Sequence, residues 1–303
     1  MISLTIIGNN SAVPAFGRNP TAQILQCEGK AFLIDCGEGT QWQLSRHGIK
    51  KSKISHIFIS HLHGDHYFGL PGLLTSLGLL NHNKDIHLFG PPLLESLLEL
   101  QFKASSTTLP YTLHFHALEE DGPIANTEHF IASCFKVKHG IDCWGFRFDQ
   151  KKKARSVIAE RAHAYGIPFS FFPQLQDGMD YKHPKGTIIP NEEVTSPASA
   201  PVSYAYSADT VFEPSLAEKF KGVDLLYHET TYLKNQEEKA KQRMHSTSEQ
   251  AASIAKLANV KKLIIGHFSS KYEDLAPFLE EARAVFTNTD LATEGTTFRL
   301  NQD

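Results

Sequence analysis

Residues 61 to 66 read His61-Leu62-His63-Gly64-Asp65-His66, and the rest of the chain is read outward from them. Three imidazoles and one carboxylate fall within six positions. The run before them, Ile54-Ser55-His56-Ile57-Phe58-Ile59-Ser60, is rich in β-branched and aromatic residues and predicts a strand. After them, Tyr67-Phe68-Gly69-Leu70-Pro71-Gly72-Leu73-Leu74 opens an apolar, helical segment punctuated by Gly and Pro. The four polar residues are therefore expected on a short turn at the end of a sheet. Imidazole nitrogen and carboxylate oxygen suit Zn²⁺, and one loop can point neighbouring side chains toward two adjacent ions.

One loop cannot complete two metal shells, so further ligands are expected elsewhere. His139 ends the alternating run Phe135-Lys136-Val137-Lys138, and Asp209 ends Val202-Ser203-Tyr204-Ala205-Tyr206-Ser207-Ala208. His267 follows the apolar run Lys262-Leu263-Ile264-Ile265-Gly266. Each polar residue lies where a strand stops, which is where a sheet scaffold carries loop chemistry. His114 and His116 also alternate along a strand, Tyr111 to Leu118, and read as residues of an edge strand and not as ligands.

A strand-end His-x-His-x-Asp-His followed in order by His, Asp and His resembles the metallo-β-lactamase superfamily. Asp35, in Asp35-Cys36-Gly37-Glu38-Gly39-Thr40-Gln41, matches that superfamily's first motif, where it supports the ligand loop without binding metal. Within the superfamily, five segments are similar to the short form of ribonuclease Z, the endonuclease that matures tRNA 3′ ends. They are Asp35 to Gln41, Asp65 to Leu74, His228-Glu229-Thr230-Thr231-Tyr232, His245-Ser246-Thr247, and Gly266-His267-Phe268-Ser269-Ser270-Lys271-Tyr272. The chain departs from that family at Pro14-Ala15-Phe16-Gly17-Arg18-Asn19, where Phe16 stands in place of a lysine, and at Gly8-Asn9-Asn10. It also lacks the Gly-Pro tip of the family's tRNA-gripping arm, continuing after Pro168 as Phe169-Ser170-Phe171-Phe172-Pro173.

The resemblance implies an αββα sandwich over residues 1–303, one domain with a protruding arm inserted at about 150–197. It implies two Zn²⁺ per chain, with Mn²⁺ as an alternative. One ion would be held by His61, His63 and His139, the other by Asp65, His66 and His267, with Asp209 bridging them through its two oxygens. Asp35 and His228 would support these ligands. The implied reaction is hydrolysis of precursor tRNA just 3′ of the discriminator base, leaving a tRNA 3′-hydroxyl and a 5′-phosphorylated trailer. Asp65 would orient or deprotonate the water, and His245, steered by Glu229, would protonate the leaving oxygen. Arg18 and the basic run Lys151, Lys152, Lys153 and Arg155 would contact RNA phosphates. A homodimer is also implied. Two other readings stand beside this one: a dinuclear hydrolase of the same fold acting on a small phosphodiester or sulfate ester, and an RNA-binding module with a vestigial metal site.

Composition narrows the setting. A hydrophobic share of 41% and a charged share of 21% over 303 residues fit a globular protein with a sizeable core. The net charge of −3 provides no global attraction to RNA, so any phosphate recognition must be local. Cys27, Cys36, Cys134 and Cys143 form no Cys-x-x-Cys pair, which argues against a disulfide framework or a thiolate zinc site. The start, Met1-Ile2-Ser3-Leu4-Thr5-Ile6-Ile7-Gly8, reads as a first strand and not a signal peptide, so a cytoplasmic, membrane-free protein is expected. Helices are expected near Thr40 to His47, over 69–81, 91–104 and Ser215 to Lys221, and over Ser248 to Ala258, with Ser246 or Thr247 as the last one's N-cap. The arm is expected to begin as a basic helix and to end in the small-residue linker Thr195 to Pro201.

Overall fold

Alternation along the strands sets the architecture. In the strand Lys30–Cys36, Phe32 and Ile34 point to one buried layer while Ala31 and Leu33 point to another. A strand buried on both faces needs cover on both, and the computed structural model, which describes residues 2–300, supplies it. The first seven-stranded sheet runs in spatial order Thr297–Arg299, Ile2–Gly8, Ala22–Cys27, Lys30–Cys36, Ile54–Phe58, Ile86–Gly90 and Leu113–Ala117. The second, also of seven strands, runs Thr289–Leu291, Lys262–Gly266, Leu225–Glu229, Ser203–Tyr206, Cys143–Gln150, Phe130–Val137 and Gly122–Asn126. Inner faces of the two sheets share one core, with Phe32 against Phe130 at 4.6 Å and Phe58 against Phe146 at 5.5 Å between ring centroids. Helices Thr40–Arg46, Leu70–Leu79 and Leu93–Ala104 cover the outside of the first sheet. Ser248–Leu257 and Ala276–Val285 cover the second.

Both sheets are mixed, and the strands that lead to chemistry are mutually parallel: Lys30–Cys36 with Ile54–Phe58, and Ser203–Tyr206 with Leu225–Glu229 and Lys262–Gly266. Parallel neighbours end at one edge, so the loops after them converge there. His114 and His116 sit on the edge strand of the first sheet, paired with Asp85 at 3.0 Å and His87 at 3.1 Å.

The chain resolves into two compact units, a body up to Asp149 and again from Val202, and a smaller unit Gln150–Pro201. The smaller one has its own core of Ala162, Ile167, Leu175, Tyr181, Ile189 and Val194, onto which Phe171 and Phe172 pack. Phe169 stays exposed. Three local expectations need correction. Lys151–Lys153 is not helical: the helix starts only at Ala159, after the short strand Ser156–Val157. The expected linker begins as a strand, because Thr195–Ser196 pairs antiparallel with Ser156–Val157. The segment after Asp209 is a 3₁₀ turn, Pro214–Glu218, with Pro214 opening it. No helix among the described residues is long and apolar enough to cross a membrane.

Gly69 fixes how the ligand loop meets the first sheet. Its amide donates to Cys36 O at 2.9 Å, and a Cβ there would stand 2.2 Å from Gly37 O. Gly69→Ala should therefore cost ~1–3 kcal/mol. Chemical denaturation should show the loss, with reduced metal content at equal protein concentration.

Candidate metal centre

The site begins with Asp35, fully buried and held at φ 55° just before the strand end. Its carboxylate accepts from Ser60 N at 2.7 Å, Ser60 Oγ at 2.8 Å, Tyr206 OH at 2.6 Å and His66 Nδ1 at 2.7 Å. These bonds clamp the end of the first sheet to the ligand loop and to the second sheet. They also fix the His66 tautomer: with its proton on Nδ1, its Nε2 lone pair faces inward.

The same arrangement recurs around the cluster. His61 Nδ1 donates to Ser60 Oγ at 3.0 Å, His139 Nδ1 to Met244 O at 2.9 Å, and His267 Nδ1 to Thr231 Oγ1 at 2.9 Å. The inward nitrogens then crowd together. His61 Nε2 and His139 Nε2 lie 3.0 and 3.2 Å from His63 Nδ1, and His66 Nε2 lies 3.3 Å from His267 Nε2. Nitrogens converging at these distances could share a cation between them. Tetrahedral ligands at zinc-like bond lengths stand ~3.3 Å apart, so the spacing fits the donor set.

Three overlapping groups of donor atoms result: His61, His63, His139 and Asp209; Asp65, His66 and His267; and Asp209, His245 and His267. Asp209 also reaches the second. Its Oδ2 is 3.6 Å from His61, 3.4 Å from His66 and 3.9 Å from His139, while Oδ1 is 3.3 Å from His267. Oδ1 is buried without a hydrogen-bond partner, as suits an atom awaiting an ion. Without an ion, the buried groups bear on one another's charge. Burial opposes charge on Asp209, yet His267 and His66 hold its carboxyl well below the usual range. Burial likewise opposes charge on His66, but Asp209, Asp65 and Asp35 raise it well above the ordinary value. His61, buried and facing His66, is pushed well below.

Beside the cluster lies an acid pair. His245 Nδ1 donates to Glu229 Oε1 at 2.9 Å, and Glu229 is fixed by the amides of Thr210, Thr231 and Ser246. Burial disfavours the imidazolium, but the Glu229 carboxylate outweighs it and pushes the His245 pKa up to about 9. His245 leaves a short helix, Glu237–Gln242, and stands just ahead of the Thr247 capping box that opens Ser248–Leu257. Both neighbours hold its position.

Two contributors escaped the sequence reading. Thr231 Oγ1 donates to Glu229 Oε2 at 2.8 Å while accepting from the ligand His267, so it joins the acid pair to the metal cluster. Its signal lay in the His-Glu-Thr-Thr run. Ala12 N–H donates to Asp65 Oδ2 at 2.6 Å, and a backbone donor in a loop leaves no signature in residue type. Other residues lie elsewhere than expected. His228 does not support the ligands: strand alternation turns it away from Glu229, onto Phe220, with Nδ1 bonded to a backbone carbonyl. Arg18 is committed internally, to Asn10 Oδ1 at 3.0 Å, Glu273 O at 3.2 Å and the carbonyl of Tyr272, with Phe16 under its guanidinium. Arg155 bonds Thr195 Oγ1 at 2.7 Å within the smaller unit, whereas Lys152 and Lys153 are exposed.

Converging imidazoles and carboxylates at the edge of an αββα sandwich define a metal-dependent hydrolase of the metallo-β-lactamase fold. The fold is shared with the metallo-β-lactamase fold protein YhfI from Bacillus subtilis, with TM-score 0.70 at 18% identity, covering 98% of each chain. Ribonuclease Z of Parabacteroides distasonis is 42% identical over 294 residues, 96% of this chain and 97% of its own, and that of Cytophaga hutchinsonii is 42% identical over 98% and 96%. Human tRNase Z, short form, superposes with TM-score 0.72 at 26% identity over 98% of this chain and 99% of its own. The family model described as Anti-Pycsar protein Apyc1 matches residues 2–153, a span that carries the ligand loop and His139 but not Asp209, Glu229, His245 or His267. The chain belongs to the ribonuclease Z family.

Asp209→Ala removes the carboxylate shared by these groups. Bound metal measured by plasma emission should fall by at least half, and hydrolysis should be lost. Full metal content with full activity would show that the groups do not depend on Asp209.

Proposed function

We propose that the chain is a zinc-dependent endoribonuclease that removes the 3′ trailer of precursor tRNA, in the cytoplasm and as a homodimer. The observation that carries this reading is the Glu229–His245 pair set beside a seven-residue ligand cluster, in a chain aligned end to end with ribonuclease Z. His61, His63 and His139 would hold one ion, Asp65, His66 and His267 the other, with Asp209 bridging. When bound, the ions supply Lewis-acid stabilisation of charge developing at phosphorus and on the attacking and leaving oxygens. Asp65, anchored by Ala12, orients the attacking water and takes its proton. As the bond from phosphorus to the tRNA 3′-oxygen breaks, His245 Nε2 gives that oxygen its proton. Glu229 keeps His245 protonated at neutral pH and holds the ring in place. Lys151, Lys152 and Lys153 on the smaller unit remain candidates for phosphate contact, whereas the internal bonds of Arg18 and Arg155 give those two a structural task.

Incubation with a precursor tRNA and mapping of both new ends tests the reading. A single cut 3′ of the discriminator base supports it; hydrolysis of bis-p-nitrophenyl phosphate without any tRNA cut favours the small-ester alternative. His245→Ala should retain both metals and lower kcat by ~10²–10⁴-fold. In Glu229→Gln the acid loses its carboxylate, so its pKa falls. Since activity declines as pH rises through that pKa, the alkaline limb of the kcat profile should move to lower pH by ~1–3 units.

The dimer reading draws support from the outer face of the helix Leu93–Ala104. Leu93, Leu97 and Leu100, at i, i+4 and i+7, are 70%, 42% and 66% exposed. An apolar stripe of this spacing normally faces a partner. Sedimentation of the double variant Leu97→Glu/Leu100→Glu should give monomer where the parent gives dimer; unchanged sedimentation would place any interface elsewhere.

A further inference from the structure

Phe68 is a large aromatic side chain whose ring meets Tyr67 at 5.0 Å between centroids but enters no buried cluster. It follows the one-turn helix Gly64–Tyr67 and is 63% exposed. Its ring rests on the ligand loop itself: a Cβ on Gly64 would come within 2.2 Å of Phe68 Cε2. Glycine between His63 and Asp65 is therefore what allows an aromatic face to lie over the metal loop. The ring lines the same cleft of about 470 Å³ as His63, Asp65, Asp209 and His245. Val13, 51% exposed, lines it too, one residue beyond the Ala12 amide that holds Asp65. Phe68 and Val13 thus add apolar surface to a cleft that also carries His63, Asp65, Asp209 and His245.

We propose that Phe68, with Val13 lining the same cleft, is the stacking platform for a nucleobase flanking the scissile phosphate. This deepens the endoribonuclease reading and rests on it. A phosphodiester placed within reach of His245 carries its two bases one ribose away, and the aromatic face in the same cleft can receive one of them. Every base has a π-face, so such a platform positions the strand without demanding a sequence. The phosphate alone could pivot about the metals; a stacked base fixes which bond lies in line with His245.

Phe68 packs in no core, so Phe68→Ala should fold, bind metal and retain the parent's melting temperature. Three precursor tRNAs separate stacking from other roles: unmodified, abasic at the last retained nucleotide, and abasic at the first trailer nucleotide. The variant should lose about tenfold or more in kcat/KM on the unmodified substrate. On one of the two abasic substrates, parent and variant should become equal, because the stacking partner is already gone. Phe68→Tyr, which keeps the ring, should restore cleavage. The same comparison is made as Kd for a five-nucleotide RNA spanning the site in a His245→Ala background, with and without the abasic positions. That arm keeps the test intact if precursor tRNA is not cut, in which case the tRNA reading alone fails. Equal penalties for Phe68→Ala on all three RNAs, or a change in oligomeric state with unchanged RNA affinity, would overturn the assignment.

Discussion

Everything at the metal centre depends on one buried carboxylate. Asp35 accepts hydrogen bonds from both sheets, through Ser60 and Tyr206, and from the ligand His66. Carboxylate oxygens with no solvent around them need such donors, and each donor is fixed by a strand end or a ring in the core. The sheet interface and the ligand loop are therefore one structure. Neither could shift without leaving charge buried and unpaired.

From this anchor the cluster spreads by a single device, an imidazole tethered through its outer nitrogen. Ser60, Met244 and Thr231 do for His61, His139 and His267 what Asp35 does for His66. The tethers remove tautomeric freedom before any ion arrives, so the donors are already oriented inward. Thr231 extends the same network to Glu229 and thence to His245, placing that pair and the imidazole cluster on a common frame.

Much of this was legible in the chain. The six-residue run and the strand-end positions of His139, Asp209 and His267 identified the residues that converge, because ligand chemistry is written in side-chain type. Helix limits such as Ser248–Leu257 followed from periodicity and capping. What could not be read were contacts made by backbone or decided by direction. The Ala12 amide has no residue signature, and His228 read as a support for the ligands, whereas strand alternation turns it and Glu229 to opposite sides. Arg18 resembled a phosphate contact until the carbonyls of Tyr272 and Glu273, some 255 positions away, were seen to occupy it. The basic run after Gln150 was read as helix from its charge pattern, but pairing of Ser156–Val157 with Thr195–Ser196 imposes extended backbone nearby.

The order of the ligands along the chain has a consequence for how the protein matures. They run from His61 to His267, and the first sheet is completed only by Thr297–Arg299 pairing back onto Ile2–Gly8. These are contacts of very large sequence separation, which form late because loop closure must come first. During synthesis from the N-terminus, the ligand loop and His139 emerge well before Asp209 and His267. A nascent chain that has reached His139 carries four of the imidazoles and Asp65, but neither Asp209 nor His267. The full cluster of imidazoles and carboxylates therefore exists only once strands from both sheets have come together.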